Sequence, residues 1–165
     1  MSRPPRLEGF EYRGRFAYFL TFCAYKRRAV FVDATLAVMV VRQILLAANR
    51  FDFAVFAYCV MPDHAHLLVR GKSDEANLQR FSKRAKQSSA QIYRRCAQQP
   101  LWQEGYYDRV VRPEEDVSGI ARYIIENPVR AGLVTSAKDY SFLGSELWSV
   151  DEILRRDVVM IRTNR

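Results

Sequence analysis

The chain has 165 residues, 49% hydrophobic and 13% aromatic, a composition that indicates one globular domain over residues 1–165 and excludes a disordered chain. No apolar run is long enough to span a bilayer, the stretch MSRPPR at residues 1–6 lacks the apolar core typical of a signal peptide, and the three cysteines are scattered without a Cys-x-x-Cys pair. We therefore expect a soluble cytoplasmic protein, and its net charge of +8 favours nucleic acid as the partner over an anionic membrane surface.

The first half of the chain is predicted to hold three strands and one helix. In chain order, the predicted elements are a basic arm at 1–14, a strand at 15–25, a helix at 34–49 capped by Asp33, a strand at 51–60 and a strand at 64–71. A tight turn at 61–63 would join the second and third strands, which makes them antiparallel neighbours.

The second half begins with a long basic helix, for which Ser73 is the predicted N-cap and Cys96 the approximate end. A fourth strand is predicted at 106–112, followed by a helix from about 113 to 127 that Pro128 should end. Residues 136–165 form a C-terminal extension to which the sequence assigns no role.

The predicted order is β-α-β-β-α-β with one further helix, which is the ferredoxin-like plan of the α+β class. In that plan an antiparallel sheet carries helices on one face. The other face would be open and available for a functional site.

The only two histidines, His64 and His66, are separated by one residue on the predicted third strand. Side chains alternate along a strand, so both imidazoles should project from the same face. Because neutral imidazole is a common metal ligand, the pair would supply half of a metal site.

Tyr123 and Asn127 are four residues apart in the last predicted helix and should share one of its faces. A phenol facing a metal site is a candidate nucleophile towards a phosphodiester, and the amide oxygen of Asn127 is a candidate third ligand. A ligand set of mixed nitrogen and oxygen atoms favours Mg²⁺ or Mn²⁺ as the cofactor.

Basic residues are the candidate contacts to DNA phosphates. They are Arg3 and Arg6 in the arm, and Lys83, Arg84 and Lys86 on the long helix. The alternative for the helical group is a solvated helix face with no partner.

Three stretches, in this order, carry a resemblance to a known family. They are residues 58–69 (YCVMPDHAHLLV), 101–112 (LWQEGYYDRVVR) and 123–134 (YIIENPVRAGLV). The chain resembles the single-tyrosine HUH transposases and, within them, the REP-associated tyrosine transposases, over roughly residues 3–135. It departs from the family at Asp63, where asparagine is frequent.

The resemblance implies that Tyr123 is the nucleophile, that His64 and His66 bind the metal, and that Asn127 is the third ligand. It also implies metal-dependent cleavage and rejoining of single-stranded DNA at imperfect palindromes that fold as hairpins. A monomer is favoured over a homodimer, so we expect the active site to be assembled within one chain.

Two other classes of protein remain as alternatives. A non-catalytic nucleic-acid-binding module could also use a basic ferredoxin-like domain, but it would not need His64, His66 and Asn127 together. A zinc hydrolase would need a third strong ligand and a general base, and the chain has no third histidine.

Overall fold

The computed structural model describes residues 9–156 and contains an antiparallel sheet with helices on both faces. Its strands and helices, in chain order, are β1 (Ala17–Cys23), α1 (Ala34–Arg50), β2 (Phe53–Met61), β3 (His64–Gly71), α2 (Leu78–Tyr93), β4 (Tyr107–Val111), α3 (Val117–Ile125), α4 (Asn127–Arg130), β5 (Leu143–Gly144) and α5 (Val150–Arg155). Short 3-10 turns lie at Tyr25–Arg27, Val30–Val32 and Ala137–Asp139.

The sheet order is β4-β1-β3-β2-β5, and every pair is antiparallel. Its first four strands reproduce the predicted ferredoxin-like plan, which is confirmed. Strand β3, which carries the histidines, lies at the centre between β1 and β2. The fifth strand comes from the C-terminal extension and pairs with the outer side of β2.

Two hydrophobic cores lie on opposite faces of the sheet. The first packs α1 and α2 against alternate residues of β1, which are Tyr18, Leu20 and Phe22. The second packs α3 and α5 against the other face, where Leu68 meets Ile124. The face expected to be open is therefore partly covered, because α3 returns across β2 and β3.

Helix α1 follows the prediction closely, whereas α2 does not. Asp33 caps α1 by accepting hydrogen bonds from the N–H groups of Thr35 and Leu36 at 2.9 and 3.2 Å. The prediction that Ser73 caps the next helix is wrong, since α2 begins at Leu78 with Asn77 as its cap. It ends at Tyr93, earlier than predicted.

The late start of α2 has its cause in the segment before β1. The carbonyl oxygen of Tyr12 accepts a hydrogen bond from Leu78 N at 3.0 Å, and Gly14 N donates to the carbonyl oxygen of Ala76 at 2.8 Å. These bonds hold residues 76–78 in an extended conformation beside residues 12–14. Gly71 permits this approach, because a Cβ there would lie 2.0 Å from the Gly14 carbonyl oxygen. Residues 9–14 of the predicted arm thus pack on the fold, with Tyr12 buried.

The helix predicted to run into Asn127 is divided into two. Asp116 caps α3 by accepting from Ser118 N at 2.9 Å, and α3 ends at Ile125. Asn127 then begins the single turn α4, with Pro128 in its first turn, where a missing N–H costs nothing. Pro128 therefore starts a turn of helix, contrary to the prediction that it ends one.

The extension beyond residue 135 is ordered structure as far as residue 156. Ser149 and Glu152 form a capping box at the start of α5, and Ile153 of that helix is buried in the second core. No helix within residues 9–156 has the length and apolar character needed to cross a membrane.

Candidate active site

The central strand β3 sets the direction of both histidines. His64 lies opposite Cys23 of β1, and His66 lies opposite Thr21. Ala65 and Leu67 point into the first core, so the imidazoles project towards the α3 face. The prediction that they share a face is confirmed, since the two Nε2 atoms are 3.0 Å apart.

Each imidazole is held through its other ring nitrogen. His64 Nδ1 is 2.6 Å from Asp63 Oδ1, and His66 Nδ1 is 2.9 Å from Thr21 Oγ1. Such partners orient the rings of metal-binding histidines. When Nδ1 donates in both rings, the two Nε2 lone pairs converge on one point.

This convergence fits a bound cation. Two lone pairs that face each other at 3.0 Å repel unless a cation or a proton lies between them. Two nitrogen ligands at roughly 2.0–2.1 Å from one metal, at a right angle, are also about 3.0 Å apart. His64, His66 and the nearby Asn127 are the residues that could hold the ion.

Burial keeps His66 in the form that binds metal. Desolvation, and after it the positive charges of His64, Arg27 and Arg130, together lower the pKa of His66 to about 3, against an opposing effect of Asp63. The imidazole of His66 is therefore neutral over the ordinary pH range.

Helix α3 brings the tyrosine to the histidines. His64, His66, Tyr123 and Asn127 line one cavity of about 500 Å³ between the sheet and α3. Tyr123 is 50% exposed, and its ring meets the edge of Phe19 with the centroids 6.5 Å apart. The structure thus collects all four predicted site residues in one place.

Arg130 of α4 lies against the ring of Tyr123. Its guanidinium carbon is 3.9 Å from the ring centroid, and its Nη2 donates to the Tyr123 carbonyl oxygen at 2.5 Å. A cation over the face of an aromatic ring is a favourable contact, and here it restrains a half-exposed side chain.

Other residues that line the cavity had no role assigned to them from the sequence. They include Phe19, Asp116 and Gly119, and Arg109 from the stretch 101–112. Tyr107 lines it as well and meets Phe19 at 6.3 Å. Tyr107 and its neighbour Tyr106 also line a second cavity that both histidines border, whereas Tyr106 does not line the cavity that holds Tyr123.

The predicted DNA contacts lie away from this cavity. Lys83 and Arg84 are exposed on α2, whereas Lys86 donates from Nζ to the carbonyl oxygens of Gln103, at 2.8 Å, and Gly105. Lys86 therefore joins α2 to the loop before β4. Arg3 and Arg6 lie outside the described residues.

The ligand set does not suit a zinc hydrolase. Within residues 9–156, no group of three or more His, Cys, Asp or Glu side chains is arranged to hold a metal ion.

Comparison with known proteins gives the same family at the level of sequence. Residues 13–127 match the model of the family described as Transposase IS200 like. The REP-associated tyrosine transposase of Escherichia coli (strain K12) is 29% identical over 93 residues, which cover 54% of this chain and 53% of that protein. A Haemophilus influenzae protein that carries the same name provisionally is 27% identical over 105 residues, covering 57% of this chain and 60% of that protein.

Solved structures share the fold. A REP-associated tyrosine transposase bound to a REP hairpin matches with a TM-score of 0.69 at 21% identity, covering 87% of this chain and 82% of that one. A provisionally named transposase from Deinococcus radiodurans matches with a TM-score of 0.52 at 25% identity, covering 73% of this chain and 95% of that one.

The match to the family model, which covers the His-x-His strand and the tyrosine helix, identifies the class of the protein as a transposase. The chain belongs to the IS200-like transposase family, whose model spans residues 13–127. The matched segments cover somewhat more than half the length of the two curated relatives.

Proposed function

We propose that this protein cleaves and rejoins single-stranded DNA at hairpin-forming repeats through a covalent bond to Tyr123. The observation that carries the proposal is the one cavity lined by His64, His66, Tyr123 and Asn127. The family match and the hairpin bound to a protein of the same fold support it.

The chemistry is a transesterification at one phosphodiester. Tyr123 Oη forms a bond to phosphorus as the bond to a deoxyribose oxygen breaks, and the phenol proton is balanced by the proton that the leaving oxygen takes up. The phosphotyrosine is itself a diester. A second DNA end can therefore displace Tyr123 in the reverse sense without ATP.

The residues of the site divide this work. Tyr123 supplies the nucleophile, and Arg130 and Phe19 restrain its ring. His64, His66 and Asn127 would hold a divalent cation, Mg²⁺ or Mn²⁺. That cation would neutralise charge on the phosphate oxygens as it develops, an effect of several kcal/mol.

The decisive experiment incubates the full chain with labelled single-stranded hairpin DNA and Mn²⁺. We expect a protein–DNA band that survives denaturation and is lost with EDTA. Peptide mapping should locate the DNA on Tyr123. A protein that binds the hairpin tightly but never forms this band would instead be a non-catalytic binding module.

Binding should be electrostatic and selective for single strands or hairpins. We expect the logarithm of affinity to fall with the logarithm of salt concentration by about 0.7 per phosphate neutralised. Lys83→Gln and Arg84→Gln should weaken binding and each reduce the slope by about that amount, as measured by fluorescence anisotropy.

Arg42→Gln on α1 removes an exposed charge outside the predicted contacts and serves as the control for this prediction. Equal or tighter binding to ordinary duplex DNA of the same sequence would contradict it. So would an unchanged salt slope in both α2 variants.

The active site should be complete within one chain. Tyr123 and the histidine pair of the same chain line the cavity, and α3 follows β4 after a short connection at 112–116. Mixing Tyr123→Phe protein with His64→Ala protein should leave cleavage absent, because neither chain holds a whole site. Restored cleavage in the mixture would mean that the site is shared between subunits.

A further inference from the structure

We propose that Asp63, held in place by Arg27, is a positioning residue that fixes the ring and tautomer of His64 for metal binding. This inference rests on the metal site of the proposed function. It concerns Asp63 and Arg27, which lie outside the His-x-His pair itself, and it assigns unequal roles to the two histidines.

The backbone of Asp63 is fixed by both neighbouring segments. Asp63 lies in the turn between β2 and β3, and its carbonyl oxygen accepts from Ala24 N at 2.9 Å. The preceding Pro62 carbonyl accepts from Phe31 N at 2.9 Å. These two hydrogen bonds therefore fix the backbone position from which the Asp63 side chain extends.

The carboxylate of Asp63 serves two donors at once. Oδ1 is 2.6 Å from His64 Nδ1, and Oδ2 is 3.0 Å from Arg27 Nε. An ionised carboxylate can only accept hydrogen bonds, so His64 Nδ1 must carry the proton. The neutral ring then has its lone pair at Nε2, directed towards His66.

The turn that carries Arg27 is itself unusual. Lys26 and Arg27 both have φ near +54°, in the left-handed region that non-glycine residues rarely adopt. This conformation brings Arg27 back along the end of β1, where its Nη1 also lies 2.9 Å from Cys23 Sγ. Strained backbone of this kind is commonly kept where a side chain must be aimed.

The second histidine has no such constraint. His66 Nδ1 faces the hydroxyl of Thr21 at 2.9 Å, and a hydroxyl can donate or accept. The tautomer of His66 can therefore change when a cation arrives, whereas that of His64 is set beforehand. An asparagine at 63 would replace one acceptor oxygen by an NH2 donor, so it would no longer present a separate acceptor oxygen to each of His64 and Arg27.

Because the chain has only two histidines, ¹⁵N NMR of histidine-labelled protein reads both tautomers directly. The metal-free protein at about pH 8, where ordinary imidazole is neutral, should show His64 as the Nδ1–H form. His66→Gln assigns the signals. Asp63→Ala should shift His64 towards the other tautomer and lower Mn²⁺ affinity about 10–100-fold by calorimetry.

Two milder variants test the parts of the arrangement. Asp63→Asn should keep the His64 tautomer but lose some Mn²⁺ affinity, and Arg27→Gln should do likewise. Asp74→Ala is the matched control, because Asp74 also pairs with an arginine Nε, that of Arg15 at 3.2 Å, without touching a histidine. Asp74→Ala should change neither the His64 tautomer nor the Mn²⁺ affinity.

The inference is overturned if His64 in the unmodified protein is not the Nδ1–H form. It is equally overturned if Asp63→Ala, folded by circular dichroism, keeps both the tautomer and the Mn²⁺ affinity. Failure of the unmodified protein to bind Mn²⁺ would contradict the proposed function instead, and the NMR reading would still decide the role of Asp63.

Discussion

Tyr123→Phe should abolish both cleavage of hairpin DNA and the covalent protein–DNA band. The change removes only the hydroxyl oxygen that attacks phosphorus, so we expect the rate to fall by about four orders of magnitude or more. The ring stays in contact with Phe19 and under Arg130, which should preserve the fold and DNA binding. Single-turnover assays on denaturing gels measure the loss.

Tyr107→Phe is the matched control, because Tyr107 lines the same cavity and meets the same Phe19 ring. It should retain the covalent band. A band that persists in Tyr123→Phe and maps to Tyr93, Tyr106 or Tyr107 would show that the nucleophile has been assigned wrongly.

His64→Ala and His66→Ala should each stop cleavage while leaving hairpin binding in place. A bound cation contributes several kcal/mol to such a reaction, and each 1.4 kcal/mol is a factor of ten, so a loss of about a thousandfold or more is expected. Binding should persist because the predicted phosphate contacts, Lys83 and Arg84, lie on α2. Cleavage rates and anisotropy on the same samples separate the two effects.

The melting temperature should change little in either variant, because both imidazoles line the cavity at the α3 face. Glutamine at the same positions keeps more of the side-chain volume and should give the same result. Cleavage by the double alanine variant in the presence of EDTA would end the metal hypothesis.

Local signals in the sequence sufficed for the sheet and for the residues at its centre. Alternation along β1, β2 and β3 predicted the strands, and the spacing of His64 and His66 predicted their common face. The four-residue spacing of Tyr123 and Asn127 predicted one face of a single helix; the helix is divided between them, yet both line one cavity.

The errors arose where contacts between distant segments decided the structure. Ser73 has the chemistry of a helix cap, but pairing of residues 76–78 with the segment before β1 delays α2 to Leu78. Arg27 and Arg130 escaped notice for the same reason. Arg27 reaches Asp63 only because of the turn after β1, and Arg130 reaches Tyr123 only because α4 follows the end of α3.

The C-terminal extension pairs with the outer backbone edge of β2. Phe142 O accepts from Val60 N at 2.8 Å, and Glu146 binds Val55 through its backbone N–H and its carboxylate. These bonds occupy backbone groups along the outer edge of β2, a stretch that lies within the family match although the extension lies beyond it. Without residues 140–146 that edge would present free N–H and C=O groups, a template on which a strand of another molecule can add. Residues 140–146 thus cover the outer backbone edge of β2, the strand that leads directly into the turn at Asp63.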